Sequence, residues 1–245
     1  MLNRTGPFLI FLCFLVLAVL YFSSCAGERI GEVYDEPKIA EAEHETEEPA
    51  LKERVLLSKM TALREFYNNE DIVGFVEIKG TSISDPVVQS SDNAYYLNHN
   101  LHGEFDRQGA VFLDFENDLD ELQDDNTIIY GHNLKNGAMF HDIRLYFDED
   151  FYKEHKHILL TTPYEETLWE IFSFFQTTTD FYYLTTNYQD KDEFFDFILQ
   201  LQKMSLYETG VNIDGSDQIL ILSTCAVNNE SGNNRYVLAA KREKP

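Results

Sequence analysis

Gln218-Ile-Leu-Ile-Leu-Ser-Thr-Cys225 carries four aliphatic residues in unbroken succession and then three small polar ones, before a polar loop from Asn228 to Asn234. Such a run, with β-branched residues at Ile219 and Ile221, predicts a strong strand. Arg235-Tyr-Val-Leu-Ala-Ala240 reads as the next strand. Working outward, further strand signals lie at 71–79, around 86–89, and at 110–115, 127–130, 157–161 and 167–175. Many short β-rich segments between polar turns predict a mostly β domain, closed as a barrel or packed as a sandwich. Two stretches interrupt it with helical spacing, at 138–147 and 190–205. In the second, Phe194, Phe197, Ile198, Leu201 and Met204 form one apolar stripe, while Asp190, Asp192 and Glu193 suit the positive end of the helix dipole.

Toward the N-terminus the composition changes twice. Arg4 precedes an apolar run from Pro7 to Phe22, so residues 1–27 read as a membrane anchor with the body outside the cell. A cleaved signal peptide and a lipoprotein-like site ending at Cys25 are the alternatives. Residues 28–50 are rich in Glu and lack apolar periodicity, as in a solvated stalk. From Leu51, the positions Leu51, Val55, Leu56, Met60, Leu63, Phe66 and Tyr67 recur at three- and four-residue steps. That spacing predicts an amphipathic lead-in helix and starts a folded domain over 51–245. The formal charge of −24 speaks against nucleic acid as a partner, because phosphate binding relies on Lys and Arg.

Of three cysteines, Cys13 and Cys25 lie in or beside the apolar run, which leaves Cys225 alone in the body. A lone thiol in an exported domain is either a buried core residue or one kept for its reactivity. A nucleophilic thiol needs a proton-handling partner, and His132 in Tyr130-Gly-His-Asn133 sits where a strand passes into a turn. His99, His102, His141, His155 and His157 occupy ordinary polar settings. Arg235 opens the last strand, where its guanidinium could stabilise an oxyanion or pair with a carboxylate. No second Cys lies near Cys225 and the close His pairs lack a ligand motif, so no metal site is expected.

Taken together, Tyr130-Gly-His-Asn133, Leu222-Ser-Thr-Cys225 and Arg235 resemble, in this chain order, the His, Cys and Arg signatures of the sortase family. Gly109-Ala-Val-Phe-Leu-Asp114, Asn136-Gly-Ala-Met-Phe140, the helical lead-in and the long helix before the cysteine strand are similar to class B members. The resemblance implies an eight-stranded barrel and a cysteine transpeptidase that cuts a Thr-containing sorting signal on another exported protein. It implies that Cys225 attacks the Thr carbonyl, that His132 protonates the leaving amine, and that Arg235 steadies substrate and oxyanion. An amine of the peptidoglycan cross-bridge would then resolve the thioester, without cofactor, ATP or metal. By local pattern Ser223, Asn93, Leu97, Thr179, Tyr183 and Leu184 are candidate contacts to the signal. Ala226-Val227 departs from the acidic residues that class B members often carry after the cysteine, with Glu230 of the same loop as a candidate substitute. A cysteine hydrolase is the enzymatic rival, although papain-like enzymes place Cys before His and on a helix. A tethered binding module with an inert thiol is the non-enzymatic one.

Overall fold

The computed structural model describes residues 57–178, 180–225 and 234–244, with the main chain alone at Cys225. The segments read as anchor (1–27) and stalk (28–50), and the first residues of the lead-in, lie outside the described residues. Among the described residues no helix is long and apolar enough to cross a membrane.

Eight strands form one closed barrel: β1 (Ile72–Glu77), β2 (Ser84–Val88), β3 (Val111–Leu113), β4 (Asn126–His132), β5 (His157–Thr161), β6 (Glu166–Thr177), β7 (Ile219–Cys225) and β8 (Arg235–Arg242). Their order around the barrel is β1-β2-β3-β4-β7-β8-β6-β5, with β5 returning to pair with β1. Closure leaves no free sheet edge. Most neighbours are antiparallel, but β2 runs parallel to β3 and β4 parallel to β7.

The unbroken apolar runs of β4 and β7 have a simple cause. Leu220, Leu222 and Ile129 point into the barrel, where they join Val87, Val111, Phe174 and Leu238 in the main core. Ile219, Ile221 and Ile128 point outward under a second cluster, built from the stripe of helix α3 (Lys191–Met204). Buried on both faces, these strands have no polar alternation to show. On β6, Ile171 and Phe174 face inward while Phe172 and Phe175 face outward, and the pairing with β8 shifts between Ile171 and Ser173. One extra residue at a bulge accounts for that offset.

Helix α1 (Ser58–Tyr67) lies over a third cluster, in which Met60 meets Ile72, Val88, Tyr96, Ala110 and Phe112. Phe66 departs from the expected stripe, being 76% exposed. Tyr67 beside it packs on the cluster, and the helix ends there as Asn68 turns into the left-handed region. The helical reading of 138–147 resolves into a 3-10 helix, Phe140–Phe147, followed by α2 (Glu149–Glu154). Asp148 separates the two, its side chain accepting the Asp150 N–H as an N-cap.

Candidate active site

Three neighbouring strands carry the candidate residues to one rim. The parallel ladder of β4 and β7 runs in register from Asn126 opposite Ile219 to His132 opposite Cys225. Adjacent strands lie about 4.8 Å apart, so the histidine and cysteine are lateral neighbours although distant along the chain. On the other side of β7, Ser223 faces Val237 of the antiparallel β8. The pairing of β7 with β8 ends there, two residues short of Cys225 on β7 and two residues in from Arg235, which opens β8. The Tyr236 N–H is taken there by the Thr224 hydroxyl at 2.9 Å, so a side chain stands in for a ladder carbonyl beside the cysteine.

His132 is held firmly. It is 1% exposed, and Nε2 lies 2.8 Å from the Leu97 carbonyl, in the short 3-10 helix Tyr95–Leu97. A carbonyl only accepts, so Nε2 carries the proton and donates it. Nδ1 is buried and has no hydrogen-bond partner among the described residues. In the neutral ring it is therefore a bare lone pair, the state that takes up a proton.

The backbone before and after this ring is buttressed. A Cβ on Gly131 would stand 2.6 Å from the Phe140 ring, so only glycine lets β4 lie this close to the 3-10 helix. Asn133 bridges to Met139, which adopts a positive φ of 54°. The Asn133 Oδ1 accepts from His141 Nδ1 at 2.9 Å, and His141 Nε2 accepts from Arg144 Nε at 2.7 Å. This chain fixes the turn that follows His132. On β8, Arg235 is half-buried, its Nη1 3.4 Å from the Asn234 carbonyl. No carboxylate pairs with Arg235 among the described residues.

A buried imidazole with an open nitrogen, level with a thiol-bearing residue and followed by a guanidinium, suits acyl transfer through a thioester. The Sortase domain family model matches residues 76–243. The chain belongs to the sortase family. It is 42% identical over 177 residues to sortase B of Listeria monocytogenes, covering 71% of this chain and 70% of that protein. With sortase B of Staphylococcus aureus the identity is 32% over 233 residues, 93% of each chain. A crystal structure from Bacillus anthracis described as similar to sortase B superposes with a TM-score of 0.72 at 37% identity, covering 79% of this chain and 86% of that one. Class B is thus the kind it most resembles, and the chain is a sortase-type cysteine transpeptidase.

The other candidates of this sortase fall into distinct settings. Tyr183 and Ser223 are both buried and their hydroxyls meet at 2.8 Å. The segment around Tyr183 and the half-buried Leu184 is fastened to β4, where Asn126 Nδ2 donates to the Tyr183 carbonyl at 3.3 Å and the Thr185 carbonyl at 2.9 Å. Asn93 donates to Asp114 Oδ2 at 2.8 Å and accepts the Phe115 N–H at 3.0 Å. Leu97 serves His132 through its main chain. Thr179 and Glu230 lie outside the described residues.

Two features went unread in the sequence. Asp114, 2% exposed, ties Asn93 to the Tyr130 hydroxyl at 2.7 Å, two residues before His132. It stood inside a recognised stretch, but nothing in its spacing marked the partners. His141 sits in an ordinary polar setting in the sequence, where its i+3 spacing to Arg144 is the one hint of a pair. Among the described residues no group of three or more His, Cys, Asp or Glu is placed to hold a metal ion.

Proposed function

We propose that this sortase is tethered to the outer face of a cell membrane through its N-terminal segment. There it cleaves a Thr-containing sorting signal on exported proteins and joins the acyl part to a peptidoglycan cross-bridge amine. The observation that carries the assignment of roles is the register of β4 and β7, which sets His132 opposite Cys225. Solved relatives support the substrate classes: one structure is a Staphylococcus aureus sortase B-substrate complex, and another is sortase B complexed with triglycine.

In this scheme the Cys225 sulfur, as thiolate, attacks the Thr carbonyl carbon of the signal. Arg235 stabilises the tetrahedral oxyanion. The C–N bond then breaks, and protonated His132 gives its Nδ1 proton to the departing amine. The result is a thioester on Cys225 and a neutral ring. An incoming amine attacks the thioester carbonyl, Nδ1 takes its proton, and the thiolate leaves with no net change in the enzyme. Throughout, Nε2 keeps its hydrogen bond to Leu97, so the ring is oriented for both half-reactions.

The test incubates the full chain with short Thr-containing sorting peptides and an amine acceptor, following cleavage and amide product. Cys225→Ala is expected to abolish both, and His132→Ala to lower the rate by about 10²- to 10⁴-fold. Retained cleavage by Cys225→Ala overturns the assignment.

A further inference from the structure

A cavity of 230 Å³ opens on the same rim as His132, lined by Tyr67, Asp85, Pro86, Leu101, Val111 and Met139 among others. The strand registers fix its place. Val87 pairs with Val111 in the parallel β2/β3 ladder, so Pro86 is level with Ala110. Phe112 pairs with Tyr130 in the antiparallel β3/β4 ladder, which brings Ala110 level with His132. Pro86, Ala110, His132 and Cys225 therefore form one row across four adjacent strands. Three strand spacings put the cavity about 14 Å from Cys225, beyond His132 and away from β8.

The lining is mostly apolar, yet it holds a half-buried carboxylate without a counter-ion. Asp85 accepts only the Ser84 N–H, at 3.3 Å, and no cationic side chain pairs with it among the described residues. Burial pushes its carboxyl above the ordinary range, as expected of an acid with no compensating charge. His102 also lines the cavity, and its Nδ1 lies 3.1 Å from the Tyr67 carbonyl, to which it must donate. Nε2 of that ring is then a second lone-pair acceptor. An apolar wall with a carboxylate and an imidazole nitrogen suits an ammonium group on an aliphatic stem, and a chain of net charge −24 attracts one.

We infer that this cavity binds the ammonium group of a lysine-like side chain on the acceptor peptide, with Asp85 as its counter-charge. The inference rests on the transpeptidase reading above. The occupant is not the acyl part of the sorting signal, because His132 handles the proton of the leaving and the entering amine. Both therefore pass on the histidine side of the thioester, where the cavity lies. Of these two the leaving peptide departs, and the acceptor is the one that must be held for the second half-reaction. A span of about 14 Å is about four extended residues, so the nucleophilic amine and the bound ammonium are that far apart along the acceptor.

Two measurements on the full chain test it. Transfer is compared between Gly-Gly-Gly-Lys-amide and its isostere with norleucine at the fourth position, products being mapped for attack by the terminal amine. The lysine peptide is expected to have a KM about tenfold lower, from one charge-assisted hydrogen bond, and Asp85→Asn is expected to bring the ratio to one. Calorimetric titration with N-acetyl-Gly-Gly-Gly-Lys-amide reads the cavity without turnover, with binding expected for the parent and lost in Asp85→Asn. Equal KM values for the two acceptors, or equal binding by parent and variant, overturn the inference while leaving cleavage at Cys225 intact. Failure of all peptide cleavage strikes the transpeptidase reading instead, and the titration still decides the cavity.

Discussion

At Gly131 the reason for a single residue is a distance. The missing Cβ would meet the Phe140 ring at 2.6 Å, and Phe140 is fully buried, so neither side has room to yield. Gly131→Ala is expected to cost about 1–3 kcal/mol of stability by overpacking. Because the strain falls one residue from His132, turnover should drop more than stability alone explains, which comparison of melting and kcat would show. Gly109 acts from the other side. It sits at φ +65°, and a Cβ would lie 2.7 Å from the Leu97 carbonyl oxygen that accepts from His132. Gly109→Ala should displace that carbonyl and lower kcat with little change in KM for the sorting peptide. Retained kcat would separate the Leu97 contact from the chemistry. Both glycines stood in quoted motifs, but what each approaches is a tertiary fact with no local trace.

Elements were more legible than partners. The apolar runs of β4 and β7 were legible as strands and the stripe of α3 as a helix, because burial writes itself into consecutive or periodic apolar residues; that both faces of these strands are covered was not. The closure order was not, since β4 meets β7 only after β5, β6 and α3 intervene. The 3-10 helix at Phe140–Phe147 and the bulge on β6 were also illegible, because both depend on what packs against them. The α3 stripe carries a stability prediction: Phe194 is fully buried among Phe172, Ile198 and Tyr188. Phe194→Ala is expected to lose about 3–5 kcal/mol in denaturant unfolding. The segment Tyr183–Tyr188 hangs on Asn126, Asp124 and Asp125 at the opening of β4. Asn126→Ala should therefore raise KM for the sorting peptide if Tyr183 and Leu184 contact it.

Across the described residues, some carboxylates of this acidic chain are drawn inward from solvent. Asp85 is such a case, and its folded-state carboxyl titrates above its unfolded value because burial opposes ionisation. The protonated form is the better-tolerated one in the fold, so Asp85 lowers stability as pH rises past the ordinary carboxylate range. Thermal melts should show Asp85→Asn more stable than the parent at pH 7, with the gap closing near the acid end of that range. A variant less stable at pH 7 would contradict the burial argument. Cysteine count, chain order of His, Cys and Arg, and strand position made the family and the site candidates readable. What escaped was the scaffold around them: Asp114, the Leu97 carbonyl and the pair of His141 with Arg144.

The central claim is that chemistry passes through a thioester on Cys225, formed and discharged with the help of the histidine level with it. Intact-mass measurement of the chain mixed with a Thr-containing sorting peptide tests it most directly. The account predicts an added mass equal to the acyl fragment through Thr, mapped to Cys225, that disappears as an amine acceptor is added and amide product appears. Cleavage with no such adduct, or an adduct that persists in Cys225→Ala, would contradict it.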